Sequence, residues 1–211
     1  MFDINNIFVT IFEYKLSYLE FFGVVTGLLG VYLAARKKVI NFYFIIVSSI
    51  CYFAFFYQCQ LYSVMILQLI YCVINIYGIY SWTKCNENQQ TIKVTALKNR
   101  QRIYLFLIIC VVSMIWAYFV INISAKFPQY IEKPAFPHID ALITIASIAA
   151  QILLTRKKVD NWALWVIADS LAVMLYCRME LYFTAILYAC FLFIGTNALI
   201  SWRKELRNLS D

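Results

Sequence analysis

Two tryptophans and a carboxylate, Trp162, Trp165 and Asp169, stand in the stretch NWALWVIAD, inside a run otherwise apolar enough to sit in lipid. On a helix turning about 100° per residue, positions i, i+3 and i+7 fall within a narrow arc, so one face would present all three side chains. Indole faces attract flat cationic rings by about 0.5–2 kcal/mol each, and one carboxylate would offset a positive ring. Asp169 is the only ionisable residue well inside any apolar run. A charge near the bilayer centre costs about 2.5–3.5 kcal/mol on insertion scales, so such a residue usually faces a protein-lined or wet interior and marks a functional site. A plainer role is a protonated acid that ties two helices together. For the tryptophans the plainer role is an interfacial aromatic belt, which suits Trp162 near the run's edge better than Trp165 one turn deeper.

Other runs supply candidate partners. Gln68, Tyr71 and Asn75 share a face by the same spacing, a later run offers Tyr188 and Asn197, and an earlier one Ser48, Ser49 and Tyr52. Buried amides in a membrane must find hydrogen-bond partners, from neighbouring helices or from a ligand. Each residue alone could serve helix packing; together they could line a polar, aromatic cavity at mid-depth. No Lys or Arg lies inside an apolar run to hold a phosphate. This chemistry favours an uncharged or cationic aromatic small molecule over a nucleotide.

Such residues need a scaffold, and the composition defines it. The chain of 211 residues is 64% hydrophobic and 14% charged, too few polar residues to cover the surface of a soluble domain. Apolar runs fall near Leu19–Ala35, Phe42–Tyr57, Leu61–Trp82, Ile103–Ile123, Ala141–Leu154, Trp162–Tyr176 and Leu181–Trp202. Numbered as seven spans, they leave Lys15, Lys126, Lys133 and Arg178 on one side of the membrane and the other 14 of the 18 basic residues opposite. The positive-inside rule then places the amino terminus outside and the carboxyl terminus in the cytoplasm.

An internal repeat supports the same count. RKKVINFYFIIVSS at Arg36 matches RKKVDNWALWVIAD at Arg156 at an offset of 120 residues, and the same register pairs Leu61-Tyr62 with Leu181-Tyr182, Ser81-Trp82 with Ser201-Trp202, Lys84 with Lys204 and Glu20 with Asp140. Spans one to three thus correspond to spans five to seven, with span four as the link. Four spans separate equivalent helices, so both halves insert with one orientation. The expected fold is an all-α polytopic membrane protein of seven transmembrane helices in a 3+1+3 parallel repeat. Its parts are an interfacial amino-terminal segment (1–17), the first three-helix repeat (18–84), a basic cytoplasmic loop, linker helix and external loop (85–138), the second repeat (139–204) and a cytoplasmic tail (205–211).

The remaining signals are weaker. Phe2, Ile4, Ile7, Phe8, Ile11 and Phe12 among polar positions suit an interfacial helix, and without a basic start or a small-residue cleavage site the segment is expected to be retained. The loop Thr83–Arg102 reads as a solvated basic connector. Pro128, Pro134 and Pro137, the only prolines, precede span five, so none breaks a span. Seven cysteines show no CxxC, and His138, the single histidine, reads as a surface residue at the outer boundary; no metal site or cofactor is expected. Gly23, Gly27 and Gly30 form a small-residue stripe for close helix packing, within the bundle or between subunits. No Ser/His/Asp set, metal cluster or phosphate-binding glycine loop points to an enzyme. No soluble domain suggests a scaffold, and nucleic acid is not an expected partner.

LQLIYCVINIYGIYSW, PAFPHIDA, RKKVDNWALWVIAD and LYFTAILY together resemble the PnuC family of bacterial vitamin transporters, from about Leu19 to Lys204. The resemblance implies a 3+1+3 fold like that of full-length SWEET sugar transporters, a homotrimer in the inner membrane, and facilitated diffusion of nicotinamide riboside drawn forward by cytoplasmic phosphorylation. It implies direct binding by Trp162 and Trp165, the WxxW pair, and by Gln68. Two positions depart from the pattern: Asp169 and Ser48 stand where the nicotinamide riboside group commonly has Asn. An ionised Asp only accepts hydrogen bonds, whereas Asn also donates, so thiamine, carried by related members, competes as the cargo.

Overall fold

The computed structural model describes residues 7–11, 14–58, 62–87, 93–130, 134–180 and 182–208. The seven apolar runs are seven helices: α1 (Tyr18–Ala35), α2 (Asn41–Gln58), α3 (Tyr62–Glu87), α4 (Asn99–Lys126), α5 (Pro137–Thr155), α6 (Asp160–Arg178) and α7 (Tyr182–Asn208). Six of them are long and apolar enough to cross a membrane. The exception is α6, whose Asn161, Asp169 and Ser170 lower its mean hydropathy. It packs against α5 on one side and α7 on the other, an arrangement that can shield polar side chains from lipid.

The helices fall into two compact units, 1–91 and 92–211. In the first, α2 packs against both α1 and α3, whose backbones do not approach each other among the described residues. In the second, α6 is in the same way central to α5 and α7, and α4 packs on α5. Small residues allow the close approaches. A Cβ on Gly30 would lie 2.7 Å from the Ile45 side chain, and one on Gly78 would lie inside the Phe42 ring contact. The glycine stripe of α1 therefore serves α1–α2 packing within the bundle. In the second unit Ala146 of α5 and Ala168 of α6 form a buried cluster with Ile109 of α4, and Ala172 of α6 packs with Ile143 and Leu175.

The turns that join α1 to α2 and α5 to α6 are built alike. Each ends its helix with a residue in the left-handed region, Lys37 (φ 56°) or Lys157 (φ 47°). The amide of Lys38 reaches the Leu33 carbonyl at 3.0 Å and that of Lys158 reaches Leu153 at 3.0 Å, the bond that closes a helix whose terminal carbonyls would otherwise lack donors. The side-chain amide of Asn41 donates to the Lys38 carbonyl at 2.6 Å, and that of Asn161 to Lys158 at 2.6 Å. Both asparagines are fully buried. The RKKVxN motif is thus a turn motif: lysines place positive charge at a helix C-terminus, and the asparagine closes the bend.

Two expectations are corrected. The amino-terminal segment is not a helix where it is described: Ile7–Ile11 and Tyr14–Ser17 are antiparallel strands, β1 and β2. Consecutive β-branched and aromatic residues in IFVTI favour strand over helix, and Phe8 stacks on Phe21 of α1 with ring centroids 4.2 Å apart. Phe2, Ile4 and Phe12 lie outside the described residues. The basic loop before α4 is not merely solvated either. Thr95 exchanges backbone hydrogen bonds with the α5–α6 turn, its amide to the Lys157 carbonyl at 3.2 Å and its carbonyl from the Val159 amide at 2.9 Å. Beside it Val94 is buried.

Candidate functional site

The polar and aromatic residues of interest divide between the two units. In the first, Ser48 and Tyr52 of α2 face α1: the Ser48 hydroxyl donates to the Gly23 carbonyl at 2.8 Å, and the Tyr52 ring lies where a Cβ on Gly23 would come within 3.0 Å of it. The α3 face of Gln68, Tyr71 and Asn75 is inward at its ends, with Gln68 and Asn75 both buried and Tyr71 half-buried. The Asn75 side-chain amide donates to the Tyr71 carbonyl at 2.7 Å. Gln68 makes no side-chain hydrogen bond among the described residues.

In the second unit the three residues of NWALWVIAD differ in setting. Trp162 is 1% exposed and meets Trp202 of α7 edge to face at 5.8 Å, yet its indole N–H has no hydrogen-bond partner among the described residues. Phe42, 120 residues earlier, meets Trp82 in the same way at 4.9 Å. The SWxK tryptophans are therefore the anchors on which the first turns of α2 and α6 rest. Trp165 is half-buried and makes no such ring contact among the described residues. Asp169 is 3% exposed with no hydrogen-bond or ion-pair partner among the described residues. Its counterpart is the smaller, buried Ser49. Tyr188 pairs with Tyr176, ring centroids 5.1 Å apart. Asn197 is exposed and its side-chain amide is held by the Phe193 carbonyl at 2.9 Å.

Sequence reasoning passed over Gln151 of α5, which is 3% exposed, with Ser147 buried one turn before it. Their i, i+4 spacing on one face was the available signal. Among the described residues no group of three His, Cys, Asp or Glu side chains is placed to hold a metal ion.

The profile of the nicotinamide mononucleotide transporter family matches residues 17–204. The chain belongs to this family. Relatives include the nicotinamide riboside transporter PnuC of Escherichia coli (strain K12), 30% identical over 98% of this chain and 95% of the relative. That of Neisseria mucosa is 25% identical over 92% and 75%. A crystal structure of a vitamin B3 transporter PnuC shares the fold with a TM-score of 0.65 at 24% identity, covering 90% of this chain and 83% of the other. This member of the nicotinamide mononucleotide transporter family is thus a multi-pass membrane transporter with the fold of that structure.

Proposed function

We propose that the chain carries nicotinamide riboside across the bacterial inner membrane by facilitated diffusion, with phosphorylation in the cytoplasm trapping the product. The observation that carries this reading is Asp169: a buried acid with no hydrogen-bond or ion-pair partner among the described residues, on the α6 face that also bears Trp165. The pyridinium of nicotinamide riboside is a flat cation, and it would take the indole face and the carboxylate together. The family and the relatives named above supply the cargo class. The matching turns and tryptophan contacts at an offset of 120 residues support a 3+1+3 repeat, with rocking of one triplet as the transport step. In this reading Trp162, Gln68, Tyr71, Asn75, Ser48, Tyr52, Tyr188 and Asn197 are the further candidate binding residues. The amino terminus lies outside, the protomers form a homotrimer, and the chain has no enzymatic activity.

Affinity must be moderate, because a passive carrier that holds its cargo tightly cannot release it. Calorimetry on the purified protein with nicotinamide riboside, nicotinamide mononucleotide and thiamine tests the reading. Binding of the riboside alone is expected, and Trp165→Ala should abolish it in a protein that still unfolds at the same temperature. Tight mononucleotide binding, or an unaffected variant, would refute the site.

A second reading rests on the acid itself. Because Asp169 accepts rather than donates when ionised, it suits the amino group and cationic ring of thiamine, and the same calorimetry separates the two. Proton coupling through Asp169 is the other alternative; uptake into vesicles that ignores an imposed pH gradient excludes it.

A further inference from the structure

The second unit carries a recess at the ends of α4, α6 and α7, of about 260 Å³, lined by Arg102, Val159, Asp160, Ala163, Leu199 and Arg203. We propose that it is an anion site that takes a phosphate group, with Arg203 and Arg102 as its ligands.

Four observations converge on this. First, Arg102 is fixed. The Asp160 carboxylate accepts from the Arg102 Nε at 2.7 Å and from the Leu97 amide at 2.7 Å, and the Asn99 side-chain oxygen accepts from Arg102 Nη1 at 3.3 Å. These contacts hold the guanidinium in place beside the recess. Second, Arg203 on α7 is exposed and makes no ion pair among the described residues. With Asp160 committed to Arg102, the wall retains a net positive charge. A forked, weakly hydrated guanidinium is the group best shaped to grip a phosphate.

Third, the Arg203 charge is not required by the bend. At the positions 120 residues earlier stand Val39, Ile40, Tyr43, Ile79 and Thr83, and the α1–α2 turn forms with the same Asn41 bond although Ile40 replaces the acid. The first unit builds the same bend without a charged cluster; in the second, Asp160 and Arg102 also fasten the segment before α4, which leaves Arg203 as the charge with no such role. Fourth, a small residue, Ala163, occupies the wall where the other repeat has Tyr43. A basic residue that only fixed membrane orientation would need no recess beside it.

Phosphate could reach this end of the molecule from an anionic lipid headgroup or from a free phosphate in the aqueous phase. The purified full-length protein in detergent is titrated by calorimetry with inorganic phosphate and, separately, with a short-chain phosphatidylglycerol. At least one should bind, more weakly as salt is added. Arg203→Gln should weaken that binding roughly tenfold or more, whereas Arg203→Lys should retain part of it. Binding of inorganic phosphate identifies a soluble source, and binding of the lipid alone a headgroup. Failure of both probes, or an Arg203→Gln protein that binds as well as the parent, overturns the proposal. Arg203 is exposed but directly follows Trp202, whose ring is buried against Trp162, so the conservative lysine variant also controls for folding. The readout is independent of which cargo the transporter carries.

Discussion

At the scale of single residues, Asp169 and Trp165 are set apart from Trp162. Trp162 fills a packing position that Phe42 fills in the other unit, so Trp162→Ala removes a buried ring and should destabilise the protein by about 3–5 kcal/mol; thermal unfolding in detergent measures the loss. Trp165→Phe keeps an aromatic face and should retain partial ligand binding where Trp165→Ala does not. Replacing Asp169 by Asn removes a charge while conserving shape. Calorimetry should then find a cationic ring bound roughly tenfold less tightly and neutral nicotinamide unchanged; equal losses for both would mean that the acid serves packing rather than charge recognition. The three-residue arc of α6 was legible from spacing alone. Which indole is packed and which half-exposed was not, because that depends on Trp202, forty residues away in sequence and adjacent only once α7 docks.

At the scale of elements, the glycines of the α3 and α7 positions differ in what they exclude. A methyl on Gly78 would run into the Phe42 ring, whereas one on Gly195 would rest 3.8 Å from Val166 and 3.9 Å from Trp162. Gly78→Ala is therefore expected to cost about 1–3 kcal/mol, and Gly195→Ala to be neutral or stabilising, since alanine favours helix; melting temperatures of the two variants decide it. The helices were readable because each is a long apolar run. The strands β1 and β2 were not, because a short stretch mixing apolar and polar residues fits either period, and the packing of Phe8 on α1 is a tertiary contact. The hydrogen bonds of Thr95 were equally hidden, since backbone pairing leaves no side-chain signature. Thr95→Pro deletes the amide that meets the Lys157 carbonyl, and faster hydrogen exchange at Val159 should report the loosened turn.

At the scale of the whole molecule, the basic residues predict an orientation. In a cysteine-free background, Tyr130→Cys should react with a membrane-impermeant maleimide on intact cells, while Lys158→Cys should react only after the membrane is opened. The reverse pattern would invert the topology. The count of seven helices and the 120-residue register were visible in RKKVxN and SWxK, whose structural reasons are the bend and the tryptophan anchors. The cargo was less visible, because flat cationic rings present much the same face to an indole and a carboxylate.

The bonds of Thr95 and Leu97 have a consequence for cutting the chain. A break between Glu87 and Lys93 would sever no described helix and none of these bonds, so the α5–α6 bend would keep its clasp. Two separately encoded pieces, the second starting with its own clasp and linker helix, offer a way to ask whether this transporter can be assembled from halves.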